Sequence, residues 1–311
     1  MNSELNKLFG REFAIGFFLP ALLFFLGTTY FLRSLGVDTP LFRINWEKPF
    51  EGTGFLLVAA WVCAVFLQAV NRELFRALEG YWPQPLRKWC SHFQLKRFRQ
   101  LSRELFEAQK DATDTQKLAN LSTRNARDYP SKEKLVLPTS FGNAVRAYED
   151  YPRVIYGFES INGWSRLQAL MSTEFREILN QDRARVDLWL NLSFFALVFT
   201  IEIVVLGLQR GQPGSMWLAL PMLIFMRFAY MRAQSSVQQY GDQVKAAFDI
   251  YLPALATKLG YVLSSDVDQN KKFWRAFSRV MVYRKEEALK SMAKAGLKRA
   301  PGSGEALNDR R

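Results

Sequence analysis

Two long apolar segments joined by six polar and turn-forming residues constrain the fold of this chain more than any other feature. The segments cover residues 188–208 and 216–230, and the connection, residues 209–214, carries two glycines and a proline. A helix of about 20 apolar residues crosses a hydrocarbon layer roughly 30 Å thick. The pair therefore predicts a transmembrane hairpin within residues 173–252 that crosses a membrane twice and returns to its starting side.

Two further apolar segments lie near the start of the chain, at residues 13–32 and 54–70. The first is longer than the core of a cleaved signal peptide and ends without small residues at a cleavage site, so we expect it to remain as a membrane span. Pro20, four residues after Gly16, is expected to kink this span, which is tolerated where a neighbouring group pairs with the freed carbonyl. Residues 1–72 are thus predicted to form a first transmembrane hairpin.

Charged residues are distributed asymmetrically around these apolar segments. The chain has a net charge of +13, with 20 Lys/Arg against 14 Asp/Glu in residues 72–185 and 15 against 8 in residues 232–311. The loop between the first two segments carries 3 of each sign. An excess of Lys/Arg marks the cytoplasmic side of a membrane. We therefore predict a multi-pass inner-membrane protein with both termini in the cytoplasm, whose basic excess faces the lipid bilayer rather than nucleic acid.

Residues 73–172 are predicted to form a helical cytoplasmic insertion. Apolar and basic residues recur at helical spacing over residues 87–109, which predicts an amphipathic helix. Such interleaving can also bind single-stranded nucleic acid, but helix packing and membrane contact explain the same pattern. Residues 110–134 are the most polar stretch of the chain, and we expect a linker or mobile loop there.

The second half of this insertion is rich in turn and aromatic residues. Residues 138–140 are expected to cap a helix over residues 141–150. Tyr151–Pro152 would end that helix, and Tyr156–Gly157 and residues 162–164 are expected to form turns.

The two spans of the second hairpin are predicted to extend beyond the membrane. Residues 174–206 contain no glycine or proline, so they should form one helix about 50 Å long. In its partner, apolar residues recur every three or four positions over residues 233–251, which predicts a coiled-coil seam and a homo-oligomer. Pro253 is expected to end or bend that helix.

A C-terminal helical region over residues 253–299, with a helix over residues 271–297, and a disordered tail over residues 300–311 complete the predicted chain. The predicted fold class is all-α: a polytopic membrane protein with four transmembrane helices in two hairpins and long helical cytoplasmic extensions.

Several short strings in the sequence occur together in one known group of proteins. They are Phe18-Leu19-Pro20-Ala21-Leu22, Glu79-Gly80-Tyr81-Trp82, Leu137-Pro138-Thr139-Ser140-Phe141-Gly142-Asn143, Arg146-Ala147, Glu149-Asp150, Tyr156-Gly157, Trp164-Ser165-Arg166-Leu167, Phe248-Asp249-Ile250-Tyr251 and Trp274. With them the chain resembles a family of uncharacterised bacterial integral membrane proteins that has an LPTxxGN-type signature between two transmembrane hairpins. Ser165 stands where the family pattern has proline. The resemblance implies a location in the bacterial inner membrane and this fold over nearly the whole chain, and it implies no catalytic residue.

The sequence offers little that is typical of an enzyme. It contains no Gly-rich phosphate loop, nucleophile elbow or metal-ligand cluster, and its one histidine and two cysteines indicate neither a metal site nor a disulfide framework. We expect no cofactor. Thr139, Ser140 and Asn143 lie at a predicted helix N-terminus, where backbone N–H groups could hold an anion, and with Trp164 they could contact a soluble cytoplasmic protein. A plain helix cap is the simpler interpretation.

Glu202 has the least ordinary setting, because an ionisable group inside a span usually faces a partner, a cavity or a water-filled path. Arg227, in the fourth span, lies at a different depth, and we expect it to reach toward the inner interface near Arg232. Glu202 is therefore a candidate pore-lining or proton-linked residue, or else it makes a structural hydrogen bond to Thr28, Thr29 or another helix.

Three functions fit these features. The leading hypothesis is a homo-oligomeric channel or pore-like effector, controlled by the cytoplasmic helices, with Glu202 near the path. The first alternative is a membrane-anchored scaffold that recruits a soluble partner through the aromatic segment 137–164. The second alternative, an enzyme acting on lipid headgroups, would need a convergent polar site that the sequence does not indicate.

Overall fold

The computed structural model describes residues 10–37, 49–110 and 114–283, and within these ranges it contains helices and no β-strand. The helices, in chain order, are α1 (Arg11–Ser34), α2 (Pro49–Glu79), α3 (Gln84–Lys110), α4 (Thr115–Asp128), α5 (Ser140–Ile155), α6 (Ser160–Gln168), α7 (Thr173–Gln209), α8 (Ala219–Lys258) and α9 (Val267–Tyr283).

Four of these helices are long and apolar enough to cross a membrane. They are α1 with 24 residues, the Gly54–Glu79 part of α2 with 26, α7 with 37, and the segment Pro213–Lys258 with 46, which contains α8. The sequence prediction of four apolar helices in an all-α protein is confirmed to this extent. Their arrangement as two hairpins and the coiled-coil seam stay predictions.

The chain divides into two compact units. Unit 1 consists of Met1–Tyr81 and Asn180–Val237, and unit 2 of Trp82–Leu179 and Gln238–Arg311. Unit 1 holds the apolar parts of the four long helices. Unit 2 holds α3 to α6, α9 and the polar ends of α7 and α8.

Helix α1 is not regular throughout. It consists of Arg11–Phe13, a π-helical turn over Ala14–Phe18, and the α-helical Leu19–Ser34 with Pro20 in its first turn. A π-helical turn arises where the regular i to i−4 backbone hydrogen bonds of an α-helix are interrupted, and Pro20 has no backbone N–H to donate. The expected irregularity at Pro20 therefore takes the form of a π-turn immediately before it.

Unit 1 is packed through small and aromatic side chains. One cluster joins α1, α2 and α7 through Phe13, Phe17, Ala21, Ala60, Ala64, Leu67 and Phe195. A second cluster joins α1, α7 and α8 through Phe31, Leu35, Ile203 and Ala219. Small residues let helices approach closely where lipid removes the usual hydrophobic driving force, and the three alanines of the first cluster are fully buried.

Unit 2 has an aromatic core. Phe158 is fully buried and lies 5.3 Å from the ring of Trp274 and 5.8 Å from that of Phe248. Phe273 extends the group, with its ring 4.8 Å from Trp274. Of the aromatic residues in segment 137–164, Phe141, Tyr148 and Phe158 are buried, and Tyr151, Tyr156 and Trp164 are partly exposed.

The expectation of a linker over residues 110–134 is wrong for its central part, which forms α4. Asp114 caps this helix by accepting a hydrogen bond from the backbone N–H of Lys117 at 2.8 Å. At its other end, Arg127 pairs with Asp242 at 3.0 Å, and Lys245 donates to the carbonyl of Ala126 at 3.3 Å. These polar contacts to α8 hold a helix whose composition by itself indicates a solvated loop.

Helix α5 does not end at Tyr151–Pro152 but continues to Ile155. Its end is set by Gly157, whose φ of 77° lets the N–H of Phe158 bond back to the carbonyl of Pro152 at 3.1 Å, a Schellman-type ending. The turn expected at Tyr156–Gly157 is thus confirmed. Pro152 sits within the last turn of the helix.

One further turn prediction is wrong. Residues 162–164 lie inside α6, because Gly163 serves for close packing against the ring of Phe158 and not for a turn. Pro253 does not end α8, which continues to Lys258, and Leu252, Leu255 and Ala256 on both sides of the proline are buried; a bend at Pro253 stays a prediction. The prediction that residues 174–206 form one helix is confirmed by α7.

The C-terminal helix predicted over residues 271–297 begins earlier, at Val267, and is described as far as Tyr283. The described residues do not include 1–9, 38–48, 111–113 and 284–311. The remainder of the predicted C-terminal helix and the predicted tail over residues 300–311 therefore lie outside them.

Candidate functional site

One face of α7 carries polar side chains through the apolar part of unit 1. Arg183, Asp187 and Asn191 follow one another at intervals of four, and Glu202 lies on the same face further along. Residues three or four apart share a helix face. Asp187 and Asn191 are buried, so this polar face is directed into the protein.

The first group on this face is an ion pair held between two helices. Arg183 Nε lies 3.3 Å from Asp187 Oδ1, and Asn71 on α2 donates to the same oxygen at 3.1 Å. The guanidinium of Arg183 also lies 4.4 Å from the ring centre of Phe75. Asp187 is thereby paired and hydrogen-bonded, as a carboxylate at such a depth requires.

The next polar group on this face provides a hydrogen-bond donor for a backbone carbonyl in the π-helical turn of α1. Asn191 Nδ2 donates to the carbonyl oxygen of Gly16 at 2.8 Å, which is the carbonyl whose α-helical partner would be Pro20. Asn191 is fully buried. A Cβ on Gly16 would lie 3.3 Å from Asp187 Cβ, so glycine permits the close approach of α1 and α7. The expected neighbouring group for the freed carbonyl is therefore Asn191.

An aromatic stack interrupts the polar face above Asn191. The rings of Phe195 and Phe24 are 4.6 Å apart and nearly parallel, and Phe199 meets Phe24 edge-on at 6.4 Å. Phe195 is buried. The polar groups at Arg183–Asn191 are thus separated from Glu202 by an apolar layer.

Glu202 lies beyond this layer and is partly exposed. Its Oε2 accepts a hydrogen bond from Thr28 Oγ1 at 2.8 Å. Thr29 instead donates to the carbonyl of Phe25 in its own helix. Of the partners considered for Glu202, the structure selects Thr28. Glu202 is seven residues from the end of α7 at Gln209, or about 10 Å along the axis.

Cations over aromatic rings mark the other end of unit 1. Arg232 lies 5.6 Å from the ring centre of Trp189, Arg76 lies 5.2 Å from that of Tyr81, and Arg227 lies 5.8 Å from that of Tyr230. Aromatic rings and basic side chains collect at membrane interfaces. Both Arg227 and Arg232 are exposed, as residues that reach toward lipid headgroups would be.

The residues of the LPTxxGN-type string are mainly engaged within unit 2. Thr139 accepts from the N–H of Gly142 at 2.9 Å, so it is the helix cap of α5. Asn143 is fully buried; it accepts from the N–H of Leu137 at 2.6 Å and donates to the Leu137 carbonyl at 3.0 Å. Ser140 Oγ accepts from Gln94 at 3.2 Å. The ring of Trp164 lies 5.8 Å from Phe248 and is partly exposed.

In this geometry the hydrogen bonds of Thr139 and Asn143 stabilise the loop before α5. A soluble partner that contacts Asn143 would have to open the core of unit 2. Contact of Thr139, Ser140, Asn143 or Trp164 with an anion or a partner stays a prediction.

The adjacent carboxylates Glu149 and Asp150 diverge, as expected from their spacing. Burial raises the pKa of Glu149 above its usual range, although Arg146 at 3.1 Å opposes this. Burial also acts to raise the pKa of Asp150, but hydrogen bonds from Ser131 and Arg153 outweigh it and leave that pKa lowered.

Two tyrosines share one carboxylate in unit 2. Tyr151 Oη lies 2.9 Å and Tyr156 Oη 2.7 Å from Asp249 Oδ1. Burial, together with the hydrogen bond to Asp249, raises the pKa of Tyr151 to about 12 and also raises the pKa of Tyr156. Both phenols are therefore neutral donors at physiological pH, and the group is structural.

Sequence reasoning did not identify Asn71, Arg183, Asp187 and Asn191. The last three are spaced by four residues at the point where α7 becomes apolar, and this spacing indicates one shared polar face. An average of hydropathy along the segment does not detect it. Among the residues that the structure describes, no three histidine, cysteine, aspartate or glutamate side chains converge as metal ligands would.

Comparison of the chain with protein-family models, with curated proteins and with solved structures gave no match. The resemblance to a family with an LPTxxGN-type signature therefore stays a prediction.

Proposed function

We propose that this protein is a homo-oligomeric membrane channel or pore-like effector of the bacterial inner membrane, controlled by its cytoplasmic helices. The observation that carries the proposal is the partly exposed carboxylate of Glu202 at membrane depth. An exposed carboxylate facing lipid tails is costly, so such residues face a partner or a water-filled path.

Among the described residues, Thr28 is the one side chain that donates to the Glu202 carboxylate, and a carboxylate has acceptor sites for several donors. In an assembly, a second copy or a column of water would supply the remaining donors. Self-association around Glu202 thus removes the free-energy cost of exposing its carboxylate to lipid. Rings of such carboxylates attract cations in known channels.

The apolar layer formed by Phe24 and Phe195 fits a closed state. An apolar constriction blocks ions because it does not hold water. It lies between Glu202 and the polar group around Asp187, so a change in the packing of α1 against α7 would connect the two polar regions. Helix α7 continues without interruption from Phe195 to Thr173, so its predicted cytoplasmic end is connected to this layer and can transmit such a change.

The test is ion flux from liposomes containing the full-length purified protein, together with its mass in lipid nanodiscs. We expect an oligomer and a flux whose cation preference falls in Glu202→Gln. Glu73→Gln is the matched control, because it removes the same charge from an exposed position on α2. Phe195→Ala is expected to raise the flux by thinning the apolar layer.

A monomer in nanodiscs would contradict the proposal, because Glu202 would then have no second copy to face. Liposomes that stay sealed with the wild type and with Phe195→Ala would also contradict it. Equal fluxes for the wild type and Glu202→Gln would remove Glu202 from the path.

A further inference from the structure

One exposed face of α2 changes from apolar to basic along its length. Val58, Val62 and Phe66 are 56–65 % exposed and spaced by four residues, so they form one continuous row. Arg72 and Arg76 continue the same face and are exposed. A membrane lipid has the same sequence of apolar and charged parts, since its apolar chains are attached to a charged headgroup.

The basic end of this face borders a cavity of about 530 Å³ within unit 1. Its lining includes Arg72, Arg76 and Arg183, with Glu79 as the one carboxylate among the described residues around it. Arg183 is held in place by its pair with Asp187 at 3.3 Å. Arg76 is held over the ring of Tyr81, 5.2 Å away. Two of the three cations are therefore positioned before any ligand binds.

We propose that this cavity binds the phosphate of an anionic phospholipid, whose acyl chains lie along Val58, Val62 and Phe66. Arginine suits this task because its planar group donates two parallel hydrogen bonds to phosphate oxygens. Basic pockets beside transmembrane helices on the cytoplasmic side are a known way of holding anionic headgroups. The inference depends on the membrane location of α2 and is independent of whether the protein conducts ions.

A lipid rather than a free phosphate compound is favoured by the continuity of the two surfaces. The cavity is lined by Gln68 and Ala69 as well as by the arginines, and these two residues connect the basic end with Phe66. A soluble phosphate ester would use the arginines alone and gain nothing from the apolar row.

The test is native mass spectrometry of the full-length protein from detergent with phosphatidylglycerol, with zwitterionic phosphatidylcholine, and with soluble sn-glycerol 3-phosphate. We expect the wild type to retain phosphatidylglycerol in preference to the other two. Each arginine near an anionic headgroup contributes about fivefold in affinity, so the pair of substitutions Arg72→Gln and Arg76→Gln should weaken retention by about 30-fold. Both side chains are exposed, so the variant should fold.

The pair Arg33→Gln and Arg210→Gln is the matched control. It removes two charges from the ends of α1 and α7, where Phe31, Leu35 and Ile203 cluster, far from the cavity. This control should retain phosphatidylglycerol like the wild type.

Equal retention of both lipids by the wild type, or an equal loss in the two double variants, would overturn the proposal. Binding of sn-glycerol 3-phosphate as tightly as phosphatidylglycerol would overturn the lipid assignment and would indicate a soluble phosphate ester as the ligand. Failure of ion flux would leave this result unchanged, so the two proposals fail separately.

Discussion

Asn191 donates to the carbonyl oxygen of Gly16 at 2.8 Å, and this is the backbone acceptor that Pro20 leaves without an α-helical donor. An unpaired carbonyl in an apolar interior is costly, so the proline on α1 and the asparagine on α7 depend on each other. This pair joins a local irregularity in one helix to the polar face of another.

Asn191→Ala is therefore expected to destabilise the protein by about 0.5–2 kcal/mol, the range for an interhelical hydrogen bond in a membrane or a buried acceptor left unpaired. Restoring an N–H with Pro20→Ala should reduce that cost, since residue 20 could then pair with Gly16. Thermal unfolding in detergent measures all four proteins of this cycle. The same loss from Asn191→Ala in both backgrounds would show that the two residues are independent. Thr200→Val is the control, because Thr200 bonds to Ala196 in its own helix.

Gly163→Ala should destabilise unit 2. A Cβ at this position would lie 2.1 Å from ring atoms of Phe158, which is fully buried and cannot move aside. Overpacking of this kind typically costs about 1–3 kcal/mol. The measurement is thermal unfolding followed by circular dichroism. Gly54→Ala is the control, since nothing lies within 4 Å of its added methyl group and alanine favours a helix over glycine. Equal melting temperatures for the two variants would contradict the tight packing at Gly163.

Tyr151 should make the protein sensitive to alkali. Its pKa is raised from 10.0 to about 12 in the folded state by burial and by Asp249, so the neutral phenol favours folding. The resulting stability is present below pH 10 and is lost as the pH rises through about 12. The difference in absorbance titration between Tyr156→Phe and the double variant Tyr151→Phe/Tyr156→Phe reports this tyrosine without the neighbouring phenol on Asp249. In Asp249→Asn the same difference should titrate at lower pH, though still above 10.0 because burial remains. An unchanged titration would exclude Asp249 as a cause.

Asp150 should make the stability of the protein depend on pH in the acidic range. Hydrogen bonds from Ser131 and Arg153 lower its pKa despite its burial, so the charged form favours folding. This stability is present above its usual pKa and is lost as the pH falls through the lowered value. Asp150→Asn is expected to melt at a lower temperature than the wild type at pH 7, by an amount that shrinks toward acid pH.

The control for this experiment is Asp268→Asn, which removes an exposed carboxylate in the first turn of α9. Its effect should be small at every pH. A deficit in Asp150→Asn that stays constant as the pH falls would mean that the carboxylate charge contributes nothing to stability.

Local composition correctly predicts those structural features that depend on solvation alone. The four apolar helices follow from runs of residues that cannot be left in water, and the single helix α7 follows from an uninterrupted stretch without glycine or proline. The N-cap at Thr139 also follows from short-range chemistry, because the cap and the N–H of Gly142 that it accepts from are three residues apart.

The sequence could not predict features that depend on contacts distant in the chain. Helix α4 is stabilised in part by Asp242 and Lys245, more than 110 residues away, so its polar composition suggested a loop. Gly163 predicts a turn and Pro253 predicts a helix end or a bend, yet both residues lie within helices, next to the buried side chains of Phe158 and Leu252. Tertiary packing outweighs local propensity at these points because each buried side chain contributes more than the propensity difference between neighbouring residues.

The same division holds for the candidate site. The sequence by itself determined that Glu202 lies within an apolar helix, where an ionisable side chain is costly without a partner. Only the tertiary structure decided that Thr28 is its partner, that Asn191 completes the backbone at Pro20, and that Arg72, Arg76 and Arg183 meet at one cavity. The physical reason is that the cost of a buried charge or an unpaired carbonyl is a property of one residue, whereas the group that removes the cost comes from another helix.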